Sequence, residues 1–168
     1  MKVCIIVTGE APFSGALNLA KSLGEVSALV AGSRDLAQSV ASSGINEVFF
    51  IQTDLAESKV RVAAKFLASL NSKVVLTTPT PAAKVIAAAV ANELEGVLIP
   101  ALTNLKFEGE TAIAEQSSLG GRVIETFTTQ SPVVALYAAE DAEVSSGAPV
   151  EIKSVEDSEN LSYEMSAT

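Results

Sequence analysis

The sequence predicts an α/β fold with an open, mainly parallel five-stranded sheet, helices on both faces and an antiparallel strand addition at one edge. Three observations predict it. Short segments rich in Val and Ile recur along the first hundred residues, and stretches with helical spacing separate them. After Pro100, further apolar segments follow one another without helices between them. Strands alternating with helices predict right-handed βαβ units, and hence a parallel sheet covered on both faces.

Five segments have the character of buried parallel strands, because each is short and almost continuously apolar. They are residues 2–7, 26–31, 48–51, 74–76 and 97–99. The stretches between them carry helix signals: Ser33 and Thr80 are expected N-caps, while Gly24 and Gly44 follow expected last turns. The predicted helices cover residues 16–23, 34–43, 55–70 and 82–94.

Beyond Pro100 the pattern predicts strands joined by turns. The strands are residues 101–107, 110–116, 122–128 and 133–138, and the turn signals between them are Glu108-Gly109, Leu119-Gly120-Gly121 and Ser131-Pro132. We expect these strands to form the antiparallel addition at the sheet edge. Residues 150–155 are a candidate for one more strand, and the last ten or so residues are expected to be mobile.

Length and charge predict one α/β domain over residues 1–138 followed by an acidic extension over residues 139–168. A chain of 168 residues suits a single domain with one continuous core. The extension holds eight acidic residues against Lys153 alone, so it carries −7 of the net charge of −9. An acidic chain without a basic stripe is a poor nucleic-acid binder, because affinity there depends on Lys and Arg neutralising phosphates.

Composition also disfavours several kinds of catalytic and metal-binding site. The chain has no histidine and a single cysteine, Cys4, which disfavours hydrolytic triads and metal sites of the Cys/His type. We therefore predict no catalytic constellation and no bound metal. The apolar stretches fall short of the ~18 residues that a membrane span needs. The start Met1-Lys2-Val3 lacks the features of a secretory signal, so a cytoplasmic location is expected.

Two loops are candidate ligand sites, because open parallel sheets bind ligands at the carboxyl ends of their strands, where the strand order reverses. The candidate binding residues are Thr8, Gly9 and Ser14 after the first strand, and Thr77, Thr78 and Thr80 after the fourth. The first group can bring backbone N–H groups to a phosphate, and the second can hydrogen-bond a ribose or a phosphate. The alternatives are a plain strand-to-helix turn for the first loop and a simple helix cap at Thr80.

A third candidate site lies in the later strands. Arg122 follows Gly120-Gly121 at the expected start of a strand. Its guanidinium can reach an anion or a carboxylate of a partner. Gly121 and Arg122 complete the predicted binding residues.

Three segments carry a resemblance: residues 26–32, 43–48 and 119–127. In their order and spacing they resemble the N-terminal domain shared by electron-transfer flavoprotein subunits, and the alpha subunit in particular. Residues 26–32 (VSALVAG) are similar to the family's second strand, which ends in Ala-Gly, and residues 43–48 (SGINEV) to its helix-to-strand passage. Residues 119–127 (LGGRVIETF) match the place of the family's Gly-Asn-Ala strand, with Gly121 and Thr126 aligned. The resemblance covers residues 1 to about 155, and residues 150–166 resemble the linker that leads to the family's flavin domain.

The sequence also departs from the family's pattern. Family members usually carry Gly-Ala-Thr after the fourth strand and Gly-Lys/Arg-Asp at the next helix, where this chain has Thr77-Thr78-Pro79-Thr80-Pro81 and keeps only Lys84 nearby. Arg122 stands at the usual Asn, and Tyr137 stands at the usual arginine after the last strand.

The resemblance implies an adenine-nucleotide alpha-hydrolase-like fold and a part in flavin-based electron transfer. FAD is the implied cofactor, although its main binding domain follows the linker, where this chain ends. The implied partner is a beta-like electron-transfer flavoprotein subunit or a second copy of this chain, and the chain would serve as a platform domain. The alternative function is an adenine-nucleotide sensor or regulatory module of the universal-stress-protein type, with AMP as a possible ligand. A scaffold that dimerises through the antiparallel edge is a third hypothesis.

Overall fold

The computed structural model describes residues 1–9, 12–138 and 142–157. The expectation of mobility at the chain's end therefore concerns residues outside the described part. The strands are β1 (Lys2–Thr8), β2 (Glu25–Gly32), β3 (Glu47–Gln52), β4 (Val74–Thr77), β5 (Val97–Glu108), β6 (Thr111–Ser118), β7 (Val123–Thr129), β8 (Val133–Tyr137) and β9 (Ile152–Ser154). The helices are α1 (Ser14–Leu23), α2 (Arg34–Ala41), α3 (Val60–Ser69) and α4 (Pro81–Glu93), with 3₁₀ turns at Ala56–Lys59 and Leu119–Gly121.

All the described strands belong to one sheet, in the order β7-β6-β5-β8-β4-β1-β2-β3-β9. Parallel ladders join β1 to β2 and β4, β2 to β3, β4 to β8, β8 to β5, and β3 to β9. Antiparallel ladders join β5 to β6 and β6 to β7. The predicted fold class is confirmed: a mainly parallel α/β sheet with an antiparallel addition at one edge. The parallel ladders join seven described strands where the sequence predicts five, because β8 and β9 also pair in parallel.

The two faces of the sheet are covered by different helices. The buried residues Leu17 and Val40 of α1 and α2 belong to the apolar cluster on one face, and Leu67 and Ile86 of α3 and α4 to the cluster on the other. The central strands are apolar on both sides, as parallel strands between two helical layers must be. Because helices bury both faces of the central strands, a ligand can reach these strands only at their ends.

The expected caps are present at two helices that begin beside the sheet's carboxyl edge. The Leu36 N–H donates to Ser33 Oγ over 3.2 Å, and the Ala83 N–H donates to Thr80 Oγ1 over 3.2 Å. Pro81 occupies the first turn of α4, where its missing N–H is not needed.

The prediction that residues 133–138 belong to the antiparallel addition is wrong. β8 inserts between β4 and β5 and runs parallel to both, with Val133 to Leu136 buried. Lys73, directly before β4, contacts the Gln130 carbonyl through its Nζ over 2.5 Å. The chain therefore leaves β7 at the edge where the parallel strands begin, so β8 needs no crossover helix.

Residues 142–157 contact α1 and the end of α2 and then reach β3. We call this segment the strap. The Gly147 N–H donates to the Ser42 carbonyl over 2.9 Å, and the Val150 N–H donates to the Ala41 carbonyl over 3.2 Å. β9 then pairs in parallel with β3, so the candidate strand in residues 150–155 is confirmed.

No described helix combines the length and apolar character that crossing a bilayer requires.

Candidate functional site

A cleft of about 400 Å³ opens at the carboxyl ends of β1, β2 and β3. The starts of α2 and α4 form its other walls. Its polar lining residues are Thr8, Ser33, Thr53, Asp54, Glu57 and Thr80. The volume lies near the lower end of the range of small-molecule pockets.

The cleft lies at the point where the strand order reverses. From β1 the chain builds β2 and β3 on one side, and then returns to place β4 on the other side of β1. Thr8 ends β1 and Thr80 caps the helix that follows β4, and their hydroxyl oxygens lie 2.9 Å apart. This hydrogen bond closes the seam between the two halves of the sheet at the base of the cleft.

The other wall is built by the turns after β2 and β3. Gly32 ends β2, and a Cβ added there would lie 3.2 Å from a Leu36 methyl, so a side chain at this position would have to displace that methyl. The Thr53 N–H donates to the Gly32 carbonyl over 3.2 Å. The Thr53 hydroxyl also accepts from the Leu55 N–H over 3.1 Å, which fixes the turn that presents Asp54 and Glu57.

The charge of the cleft is negative. Asp54 and Glu57 line it, and the described residues that line it include no lysine or arginine. The N-termini of α2 and α4 contribute partial positive charge, but their Ser33 and Thr80 caps already satisfy one N–H each. A phosphate placed here would meet two carboxylates and no cationic side chain, whereas a neutral group with hydroxyl or amino donors would be compatible with it.

The structure brings together three of the predicted binding residues. Thr8, Gly9 and Thr80 all line the cleft. Gly9 has φ of +73°, and a Cβ built there would meet no atom within 4 Å, so its backbone conformation is the reason for glycine. The loops after the first and fourth strands thus meet at the cleft.

Three other predicted residues have structural roles outside the cleft. The Ser14 hydroxyl accepts from the Ala142 N–H over 3.1 Å and so holds the strap to the start of α1. The Thr77 hydroxyl donates to the Ile6 carbonyl over 2.9 Å. Thr78 is buried, and its carbonyl accepts from the Thr80 N–H over 2.8 Å.

The remaining two predicted residues lie at the other end of the sheet. Gly121 and Arg122 lie at the connection between β6 and β7, and four strands (β6, β5, β8 and β4) separate β7 from β1. They do not join the cleft.

Sequence reasoning missed Thr53, Asp54 and Glu57 as site residues. They follow β3, whose carboxyl end reaches the same edge of the sheet as those of β1 and β2. The signal was present, because polar residues directly after a buried parallel strand fall at this edge.

Burial shifts the pKa of one group outside the cleft, and the hydrogen bond between Glu47 and Lys153 lowers the pKa of the first and raises that of the second. Burial raises the pKa of the Cys4 thiol to about 12. At the other side of the sheet, the hydrogen bond from Lys153 lowers the pKa of Glu47 from its usual 4.5. The Cys4 thiol lies inside the sheet, whereas the pair of Glu47 and Lys153 joins β9 to β3.

Comparison with known proteins adds one finding. Residues 13–160 match the family model of the electron transfer flavoprotein domain. No curated protein matches the chain.

Proposed function

The chain belongs to the electron transfer flavoprotein domain family, and from this premise we propose that it is an alpha-subunit-like platform domain that works with a partner chain carrying the flavin. The observation that carries the proposal is the match over residues 13–160, which spans most of the chain. The described fold supports it, since it has a parallel α/β core with an antiparallel edge.

The residues of the cleft do not fit FAD. The cofactor's pyrophosphate calls for cationic side chains or free helix N–H groups, and the cleft instead presents Asp54 and Glu57. Its volume of about 400 Å³ is also modest for a dinucleotide. We therefore assign the flavin to a partner rather than to the described residues of this chain.

The proposed partner is a beta-like electron-transfer flavoprotein subunit or a second copy of this chain. In the family, the N-terminal domains of the two subunits lie together beneath the flavin domain. The chain would then act as a component of an electron carrier and not as an enzyme, in keeping with the family's role. Its domain boundary near residue 138 and its cytoplasmic location stay predictions.

The alternative of an adenine-nucleotide sensor is not favoured. The family match indicates electron transfer, and the cleft places two carboxylates where AMP would need compensation for its phosphate. AMP is therefore not proposed as a ligand.

Affinity capture of the full chain from its source cells, followed by a visible spectrum, tests the proposal. We expect a second chain to be captured and the complex to show flavin absorption. The captured material should lose this absorption when the partner is removed by mild salt, leaving this chain colourless. Recovery of the chain without any flavoprotein would contradict the proposal, and flavin retained by the isolated chain would contradict the assignment of the cofactor to the partner.

A further inference from the structure

β7 is the outermost strand on the antiparallel side of the sheet, and one of its edges has no neighbouring strand in the described structure. Six of its seven residues are exposed. They include Val123, Ile124 and Phe127, which are 39%, 55% and 41% exposed. Long apolar edges are normally shielded by charge, proline or covering elements, because an unpaired strand is a template for another strand. β7 carries a single charge, Glu125, and no proline.

The turn that enters β7 adds a further apolar side chain. Leu119, Gly120 and Gly121 have φ of +49°, +68° and +86°, so all three adopt left-handed conformations. For a leucine this costs about 1 kcal/mol, yet its side chain is 76% exposed. The turn thus presents Leu119 to solvent beside the apolar residues of β7. We define the β7 edge as Leu119 together with Val123–Thr129.

We propose that the β7 edge is an interface for a second copy of this chain, in which the two β7 strands pair antiparallel about a two-fold axis at Thr126. In an antiparallel pair, directly opposite residues have their side chains on the same face of the sheet. A two-fold axis perpendicular to the sheet must therefore pass between a residue and the same residue of the other copy. Thr126 is the middle residue of Val123–Thr129. Pairing about it therefore uses every residue of the strand.

The neighbouring registers are worse. An axis at Glu125 would set two carboxylates directly opposite each other, which is destabilising. An axis at Phe127 would leave Val123 and Ile124 outside the paired segment. The register centred on Thr126 instead sets Ile124 opposite Thr128 of the other copy and Thr126 opposite itself, and no like charges face each other.

Charge also favours a second copy over a basic partner. The chain as a whole has a net charge of −9, but the charges along residues 119–129 are Arg122 and Glu125, which cancel. Glu125 is moreover engaged by the Gln116 side-chain amide over 3.1 Å. A partner of high positive charge would be attracted to other surfaces, whereas the β7 edge is neutral and can meet itself without repulsion. The interface does not involve the flavin, so its failure would leave the proposed function standing.

Sedimentation velocity of the full chain tests the interface. The test compares the unaltered chain with variants that place a charge at Thr126, on the two-fold axis. We expect the unaltered chain to sediment at twice its 17.3 kDa mass. Thr126→Lys and Thr126→Glu should each weaken self-association at least tenfold, because each sets like charges opposite one another. An equimolar mixture of the two variants should recover dimers, since Lys then faces Glu. Thr126 is exposed, so neither variant should unfold the chain.

Asn104→Lys is the matched control. Asn104 is exposed and lies in the same cross-strand row as Glu115 and Thr126, two strands from the edge. It should leave the dimer unchanged.

Three outcomes would overturn the proposal: a monomer at every concentration up to about 1 mM, a dimer that both Thr126 variants retain, or a mixture that fails to recover dimers. Binding of a different chain at the β7 edge in place of a second copy would overturn it too.

Discussion

Thr8 and Thr80, 72 positions apart in the chain, place their hydroxyl oxygens 2.9 Å from each other at the base of the cleft. The bond joins the end of β1 to the cap of α4, across the point where the strand order reverses. Both residues are small and hydroxyl-bearing, so the cleft above them stays open.

The Thr8–Thr80 bond should be measurable as a coupling energy. Thr8→Val removes the hydroxyl and keeps the shape, so it should lower the free energy of unfolding by about 1 kcal/mol. Thr80→Ala should cost about 1 kcal/mol more, because it also removes the cap on the Ala83 N–H. In urea titrations of the single and double variants, the double loss should be smaller than the sum of the single losses. Strict additivity would show that the bond contributes nothing to stability.

The cap at Ser33 should stabilise α2 and shape one wall of the cleft. Ser33→Ala leaves the Leu36 N–H without its acceptor and should lower the free energy of unfolding by about 1 kcal/mol. Ser39→Ala is the control, because Ser39 is an exposed residue inside the same helix and alanine is a better helix former. Denaturant titration should show a loss for the first variant and no loss for the second. Equal effects would contradict a capping role.

The attachment of β9 should weaken in acid. The Lys153 ammonium lies 2.8 Å from Glu47 Oε1 and lowers the pKa of that carboxyl below 4.5. A carboxyl with a lowered folded pKa stabilises the fold at pH values above 4.5, and this contribution is lost as the pH falls through the folded pKa. The pair is about half exposed, so the effect should be small and should decrease with salt.

NMR titration of Glu47 checks this directly. Its pKa should lie below 4.5 in the unaltered chain and return toward 4.5 in Lys153→Met, which keeps the apolar stem. The stability difference between the two proteins should vanish in acid. An unchanged Glu47 pKa in the variant would show that the lysine is not its cause.

Cys4 should be inert in the folded protein. Its thiol is fully buried in β1, and burial raises its pKa to about 12, so the reactive thiolate is scarce at neutral pH. Labelling by an alkylating reagent at pH 8 should be slow in buffer and fast in denaturant. Because the folded pKa is raised above 9.0, the associated stability is present below pH 9.0 and is lost as the pH rises further. Rapid labelling without denaturant would contradict the buried position.

The sequence predicts most of this fold because local signals and tertiary demands agree. Apolar runs predict β1 to β4, and Ser33 and Thr80 predict the starts of the helices that they cap. The sequence does not predict the place of β8, because its direction depends on where β7 ends, and Gln130 after β7 lies beside Lys73, 57 positions away in the chain. No local pattern carries such information.

The cleft was predicted only in part for a similar reason. Thr8 and Thr80 were found from the loops in which they lie, whereas Asp54 joins them only through the pairing of β3 with β2. The carboxylates change the chemistry expected of the site, since they disfavour the phosphate that the threonines alone suggested. The residue types in the loops thus indicate that a site exists. The order of the strands determines which charged residues reach it, and so determines its charge.

Substitution of Gly147 should detach the strap. A Cβ at this position would lie 2.8 Å from Gly44 Cα and 3.0 Å from its nitrogen, so the two backbones must move apart. The shift would break the hydrogen bond from the Gly147 N–H to the Ser42 carbonyl and strain the next one, from Val150 to Ala41. Because β9 has only three residues, its pairing with β3 depends on this anchorage.

Gly147→Ala should therefore lower the free energy of unfolding by about 1–3 kcal/mol and speed hydrogen exchange at the Val150 and Val155 amides, whose acceptors are Ala41 and Phe50. The central β1 amides do not depend on the strap, so their exchange should change only as much as the global stability changes. Ser146→Ala, at an exposed neighbouring position, is the matched control and should leave both amides protected. If Gly147→Ala keeps the protection of Val150, the close approach of Gly44 and Gly147 does not anchor the strap. The variant could also speed exchange at the Val150 amide and leave the Val155 amide protected. In that case β9 is held by its own pairing with β3 and by the Lys153–Glu47 contact, and not by the segment that leads to it.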